Sequence, residues 1–248
     1  MKKRIVFITD CIDVAYNEMR ATIISIVGDC DIEIEPVVQV RNFSIINGAF
    51  LLRLMAEVYP PETIFVIVLN PMKERPARLI GTTEKKNFTF LSANTGVIGW
   101  LLKDFGLREL YEINDSGFIP FGGKYIYAPT AAQFINEKLL SDIGKPFDKN
   151  NLKKLEITDG VVVHIDNFGL IKFMGQLPEV NDEDEFEISV NGKNFKAVYF
   201  RRMMSRSDGE WVIYPGSSLS ILELGKVRQN GAMELGINIG DIIKFKKI

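Results

Sequence analysis

Apolar residues along this chain fall into two regimes. Up to about residue 150, short unbroken apolar runs alternate with segments whose apolar positions recur every three or four residues; beyond it, short runs are separated by turn residues and helical periodicity is scarce. The first run, Ile5-Val6-Phe7-Ile8, stops at Thr9-Asp10, and Met19, Ile23, Ile26 and Val27 then fall at helical spacing with Gly28 as a stop. The opening therefore reads as strand, loop, helix. A short strand around 32–38 follows. The spacing next predicts a helix over 45–58 with Ile46, Ala49, Phe50 and Met55 on one face, Ser44 as its cap and Pro60-Pro61 past its end.

Residues 63–69 are apolar throughout and rich in β-branched side chains, as a central strand covered on both faces requires. Another strand over 87–91 runs into Ser92-Ala93-Asn94-Thr95-Gly96, a helix-like stretch covers 97–105, and a later helix is expected over 128–140. This alternation predicts an α/β domain with a largely parallel sheet over 1–150. Polar residues 144–151 read as a linker. After them, strands over 160–165, 185–190, 195–200, 211–214, 219–223 and 241–245, with an Asn191-Gly192 hairpin turn and a turn over 236–241, predict a small antiparallel β-barrel over 151–248.

Composition narrows the function classes. The chain has 248 residues, 46% of them apolar, enough for two modest cores. Its 30 basic and 32 acidic side chains are interspersed, so no electrostatic footprint for nucleic acid or for an anionic membrane is present. No apolar run approaches the roughly 20 residues that span a bilayer, and the run after Lys2-Lys3-Arg4 is short and strand-like for a signal peptide, so a cytoplasmic protein is expected. Cys11 and Cys30 are the only cysteines and stand at no metal spacing; both are expected as thiols. With a single histidine, His164, in strand-like surroundings, no metal site is expected. The acidic run over 181–185 reads as a solvated turn.

The candidate chemistry begins at Asp10 and Asp13. A carboxylate at the carboxyl end of a first strand is where an open α/β sheet keeps its ligand, and acidic residues there accept hydrogen bonds from a ribose diol. The alternative is that either one caps the following helix.

An ordered series of segments then bears on identity. Thr9-Asp10 with Glu18-Met19-Arg20 resembles an opening Thr-Asp with a downstream Glu-Met-Lys, across a loop shorter by about two residues. Ser92-Ala93-Asn94-Thr95-Gly96-Val97 resembles a Pro-Asp-Asn-Gly turn, and Tyr127-Ala128-Pro129-Thr130-Ala131-Ala132 the start of a later helix. Ile165-Asp166-Asn167-Phe168-Gly169 is similar to Ile-Asp-x-Phe-Gly-Asn, and Pro215-Gly216-Ser217-Ser218 to a Gly-Ser turn before a strand. In this order the segments resemble those of the S-adenosylmethionine (SAM) hydroxide adenosyltransferases, or SAM hydrolases, similar in fold to the SAM-dependent fluorinases and chlorinases.

The resemblance implies a homotrimer in which SAM, as substrate or ligand and with no separate cofactor, lies between the first domain of one subunit and the barrel of its neighbour. It implies that Asp10 holds the ribose hydroxyls, that Asp166 binds the methionine part, and that Phe168 and Phe200 line the adenine side. Aromatic faces suit an adenine ring. Without the resemblance, Phe168 and Phe200 read as barrel core. Phe43 takes the place of an aromatic stacker near the sugar or packs in the core, and Phe121 and Ser217 mark further ligand-side positions.

The same resemblance implies an Asp-Arg-His set that orients and activates water for attack on ribose C5′, releasing adenosine and L-methionine. Here the corresponding segments are Asn70-Pro71-Met72-Lys73-Glu74-Arg75-Pro76 and Phe121-Gly122-Gly123-Lys124-Tyr125. Arg75 is kept; Asn70 stands in place of the Asp and Gly122 in place of the His. Asn70 and Arg75 are thus the expected catalytic positions. A catalytically inactive nucleoside-binding or structural relative is the alternative, and a different small-molecule enzyme is a third reading if Lys73, Glu74 or Lys124 turns inward.

Overall fold

The structure is a computed structural model that describes residues 2–41, 43–115, 117 and 119–248. The chain divides into two compact units, Met1–Leu155 and Glu156–Ile248. The first unit contains strands β1 (Lys3–Thr9), β2 (Ile32–Ile34), β3 (Val38–Gln39), β4 (Ile64–Val68), β5 (Arg78–Thr82), β6 (Thr89–Ala93), β7 (Glu109–Ile113) and β8 (Gly144–Pro146). Its helices are α1 (Val14–Val27), α2 (Ile45–Val58), α3 (Gly99–Phe105), α4 (Ala128–Ile135) and α5 (Leu140–Ile143), with a π-helical turn over Gly123–Tyr127 directly before α4.

The sheet runs β2-β1-β4-β6-β5-β7-β8, with β3 also along β1. Its core of β1, β4 and β6 is parallel, whereas β5, β7 and β8 join antiparallel. Unbroken apolar runs become β1 and β4 because both faces are covered. Ile5, Phe7 and Val66 pack with Met19 and Ile23 of α1 and Ala128 and Ala131 of α4. On the other face Phe65 meets Tyr59 and Phe88 edge-on, and Phe88 meets Phe105 at the end of α3.

Several predicted elements are corrected. The strand around 32–38 is split into β2 and β3 on either side of Pro36, and the N–H groups that face β1 change from odd to even positions across it, Glu35 donating to the Ile5 carbonyl and Val40 to the Thr9 carbonyl. The helix expected over 128–140 ends at Ile135, where Asn136 caps it and Glu137 turns to positive φ. Gly144–Pro146, expected as part of a linker, is instead an edge strand on β7: backbone pairing with an open edge does not require an apolar sequence. Ile26 is exposed, so α1 buries a narrower stripe than its periodicity suggests.

The second unit is a mixed sheet of β9 (Val162–Ile165), β10 (Ile171–Phe173), β11 (Glu185–Val190), β12 (Lys193–Tyr199), β13 (Trp211–Pro215), β14 (Leu222–Lys226) and β15 (Lys244–Lys247), plus a short helix α6 (Gly231–Leu235). Its order is β15-β11-β12-β13-β14-β10-β9. The sheet curls, and Ile243 N–H to the Gly160 carbonyl and Val162 N–H to the Asp241 carbonyl, both 2.8 Å, tie its two ends. All pairs are antiparallel except β12 with β13, which the connection over 200–210 brings together in parallel. The Asn191-Gly192 hairpin forms as expected, both residues at positive φ as a two-residue turn of this hand needs. The strand expected over 219–223 begins instead at Leu222, since Leu219 and Ser220 both take positive φ in the preceding turn. Similarly, residues 241–243 form the crossing between the sheet's ends and β15 starts only at Lys244. No helix among the described residues is long and apolar enough to cross a membrane.

Candidate functional site

The parallel core puts the carboxyl ends of β1, β4 and β6 on one rim of the first unit, and β5, antiparallel, starts on that rim with Arg78 opposite Ala93. Thr9 fixes the end of β1: its hydroxyl donates to the Val68 carbonyl at 2.7 Å and accepts from the Cys11 N–H at 2.9 Å. Beyond it opens a cleft of about 370 Å³, bounded by Asp10, Cys11 and Phe43 on one side and by the loop after β4, Arg78 and the π-helical turn on the other. The turn lies close because Gly123 has no side chain; a Cβ there would come within 2.5 Å of the Met19 sulfur and 3.1 Å of Val68.

Asp10 faces this cleft. One carboxylate oxygen accepts the Phe43 N–H at 3.0 Å, and the other lies 3.8 Å from the Cys11 thiol, a contact that leaves it open to a ligand donor. Phe43 is 64% exposed at φ 55°, so its ring is no core residue and stands at the cleft edge. Asp13 does not line the cleft: its carboxylate accepts from the Val14 N–H, which is the capping alternative. Burial pushes the Cys11 thiol up and Asp10 adds to this against a bond with Thr9, so the thiolate needed for nucleophilic chemistry is disfavoured.

On the far wall Asn70 uses its side-chain oxygen to accept the Met72 N–H at 3.1 Å, a local turn. Arg75 reaches Asp115, and Arg78 Nη1 donates to the other Asp115 oxygen at 2.6 Å. Burial alone would raise the Asp115 carboxyl, but the bonds from Arg75, Arg78 and the Gly117 N–H overcome it and hold the group at about 2. A carboxylate so stabilised is a poor general base near neutral pH. Tyr127, 5% exposed, borders the same cleft; its hydroxyl is buried with no hydrogen-bond partner among the described residues, and burial pushes it far above the ordinary phenol range. Lys73 and Glu74 sit exposed at the rim, whereas Lys124 pairs with Glu18 at 2.7 Å and lies over the Tyr125 ring.

Asp10, Phe43, Asn70, Arg75, Phe121 and Gly122 therefore share one cleft. Sequence reasoning gives no role to Arg78, Asp115 or Tyr127. The charged run before β5 is the available signal for Arg78. Nothing local marks Asp115, which reaches Arg78 only through the pairing of β5 with β7.

The other candidates belong to the second unit. Asp166 accepts the Phe168 and Leu170 N–H groups, each at 3.0 Å, so one of its oxygens holds the turn between β9 and β10. Phe168 is 71% exposed, which corrects the reading of this ring as barrel core: it sits at the tip of that turn. Phe200 is half-buried against Met203, Val212 and Val227, with the Arg206 guanidinium 5.0 Å over its ring. Ser217 is exposed in the turn after β13.

The family model of the SAM hydroxide adenosyltransferase N-terminal domain matches residues 5–144. Among solved structures, an uncharacterized conserved protein from Thermotoga maritima superposes with a TM-score of 0.83 at 22% identity, covering 98% of this chain and 100% of that one. A conserved hypothetical protein from Thermus thermophilus gives a TM-score of 0.77 at 16% identity over 99% and 100%. At these identities the two share the fold. None of the curated proteins matches this chain in sequence.

Proposed function

Because the chain belongs to the SAM hydroxide adenosyltransferase family, we propose that the cleft at the end of β1 binds SAM or another adenosine-bearing molecule, with Asp10 accepting from the ribose hydroxyls and Phe43 flanking the sugar. The observation that carries this is Asp10 itself. It stands where open α/β sheets hold ligands, and its bond from the Phe43 N–H fixes the carboxylate while leaving acceptor capacity toward the cleft.

The chemistry of this reading is displacement at C5′, with water as nucleophile and methionine as leaving group. This chain provides little to activate that water. Asn70 is neutral and engaged with Met72, Gly122 has no side chain, and the Arg75 guanidinium is bound to Asp115. Loss of a positioned acid–base group costs on the order of 10²–10⁴ in rate. Hydrolysis by this protein is therefore slow on our reading, and a purely nucleoside-binding role is the second reading that Asn70 and Gly122 favour.

Titration calorimetry with adenosine and with SAM tests the binding. Asp10→Ala is expected to weaken both by about 1.5–3 kcal/mol, the value of a hydrogen bond to a charged group. Equal affinity in the two proteins rejects the assignment. Chromatographic detection of adenosine from SAM separates the two readings: release above the uncatalysed background, abolished by Arg75→Ala, marks an enzyme.

A further inference from the structure

The wall of the cleft opposite Asp10 carries donors that the reading above does not use. Arg78 spends Nη1 on Asp115, and neither its Nε nor its Nη2 has an acceptor among the described residues. Both lie beside Gly122: a Cβ placed there would be 3.4 Å from Nε and 3.2 Å from Nη2. The Nε–Nη2 edge is one of the flat, two-donor faces of a guanidinium with which carboxylates and phosphates pair in parallel. The absence of a side chain at Gly122 is what leaves this edge uncovered.

Tyr127 supplies the second, independent observation. Tyr127 lines the same cleft, and its hydroxyl is buried without a partner among the described residues and lies in the electrostatic field of Arg78 and Asp115. A buried hydroxyl left unpaired is destabilising, and native proteins seldom retain one unless a ligand or water completes it. Asp115 does not compete for the free edge, since both its oxygens are already taken by Arg75, Arg78 and the Gly117 N–H.

We propose that the Nε–Nη2 edge of Arg78 and the hydroxyl of Tyr127 form an oxyanion subsite, opened by Gly122, which takes a carboxylate or phosphate group of a bound molecule. It rests on the cleft being the ligand site but not on that ligand being a nucleoside. The geometry assigns Gly122 a purpose other than a lost imidazole: the space a side chain would occupy is space for the anion.

Calorimetry at low ionic strength with sodium phosphate, sodium acetate, adenosine and adenosine 5′-monophosphate as probes tests this. Wild type is expected to bind phosphate or acetate. Gly122→Ala, at an ordinary helical φ of −59°, covers the edge with a Cβ that displaces the Arg78 guanidinium by a few tenths of an ångström, and is expected to weaken oxyanion binding by about tenfold or more, as is Arg78→Gln. Tyr127→Phe is expected to weaken it by about threefold while leaving the melting temperature unchanged or raised, which a structural hydroxyl would not do. If adenosine 5′-monophosphate binds tighter than adenosine and excludes phosphate, the oxyanion belongs to the nucleoside ligand. If phosphate binds alongside saturating adenosine, it is a separate ligand; either result supports the subsite. Wild type that binds neither oxyanion, or binding unchanged in folded Gly122→Ala, overturns it. Loss of adenosine binding alone, with oxyanions retained, rejects the nucleoside reading and leaves the subsite standing.

Discussion

Asp115 shows how one side chain ties the site to stability. Its carboxyl lies at about 2 in the folded chain against an ordinary 3.8, so the ionised form is favoured by folding. A depressed carboxylate contributes its full stabilisation above the unfolded value and loses it as pH falls through the folded one. Asp115→Asn is therefore expected to cost about 2 kcal/mol at pH 6, and the gap should close between about pH 4 and pH 2. Urea unfolding of both proteins at pH 6 and pH 3 checks this; a gap independent of pH rejects the ion-pair account. Asp10 is legible in the sequence because a strand end and a following helix place it whatever the distant chain does. Asp115 is not, because its partner Arg78 is 37 residues away and only the antiparallel β5–β7 pairing joins them. Tyr127 hides for another reason: it sits in an apolar helical pattern, and it is the tertiary packing that buries its hydroxyl without an acceptor among the described residues.

At the scale of elements, β10, β13 and β14 place a polar row on the face away from their core. Lys172 is opposite Glu223, and Tyr214 opposite Glu223 on the next strand, while Ile171, Phe173, Leu222, Leu224 and Ile213 alternate inward. Lys172 and Glu223 are paired and only 7% and 3% exposed, and Tyr214 donates to Glu223 at 2.7 Å. Burial, with the bond to Glu223, pushes the Tyr214 phenol up, so it remains a donor at neutral pH. Removing one member of a buried pair strands the other charge, so Glu223→Gln is expected to destabilise by about 3–5 kcal/mol, whereas Lys172→Met with Glu223→Leu should be nearly neutral or stabilising. Denaturant unfolding distinguishes these; equal loss in both variants shows that packing and not charge matters. The pairing of Glu223 is invisible in the sequence, because a two-residue period marks which face a residue is on but not whether it has a buried counterion. The strongly apolar β1 and β4 are readable for the opposite reason, being specified by their own composition. Edge strands such as β8 are specified by the neighbour they pair with, so a polar sequence there reads as a linker.

At the scale of the whole molecule, the cleft side and the resemblance-assigned residues of Glu156–Ile248 belong to separate compact units. Asp10, Phe43 and the Arg78 edge all lie in the first unit. Among the described residues the rings that line this cleft are Phe43, Phe121 and the buried Tyr127. Phe168, 71% exposed at the tip of the β9–β10 turn, is a large apolar ring left mostly uncovered by its own unit. An exposed aromatic at a turn tip is well suited to insertion into a neighbouring molecule. We expect the chain to assemble as a homotrimer, as the resemblance implies, with Phe168 contributing to the contact. Light scattering should then report three times the 28.1 kDa chain mass. Phe168→Ser should shift the population toward monomer and weaken adenosine binding, while leaving oxyanion binding within about twofold, because Arg78 and Tyr127 both belong to the first unit and share no partner with Phe168. A monomer at every concentration rejects the assembly, and a trimer whose adenosine affinity is untouched by Phe168→Ser removes this ring from the ligand site while keeping the oligomer.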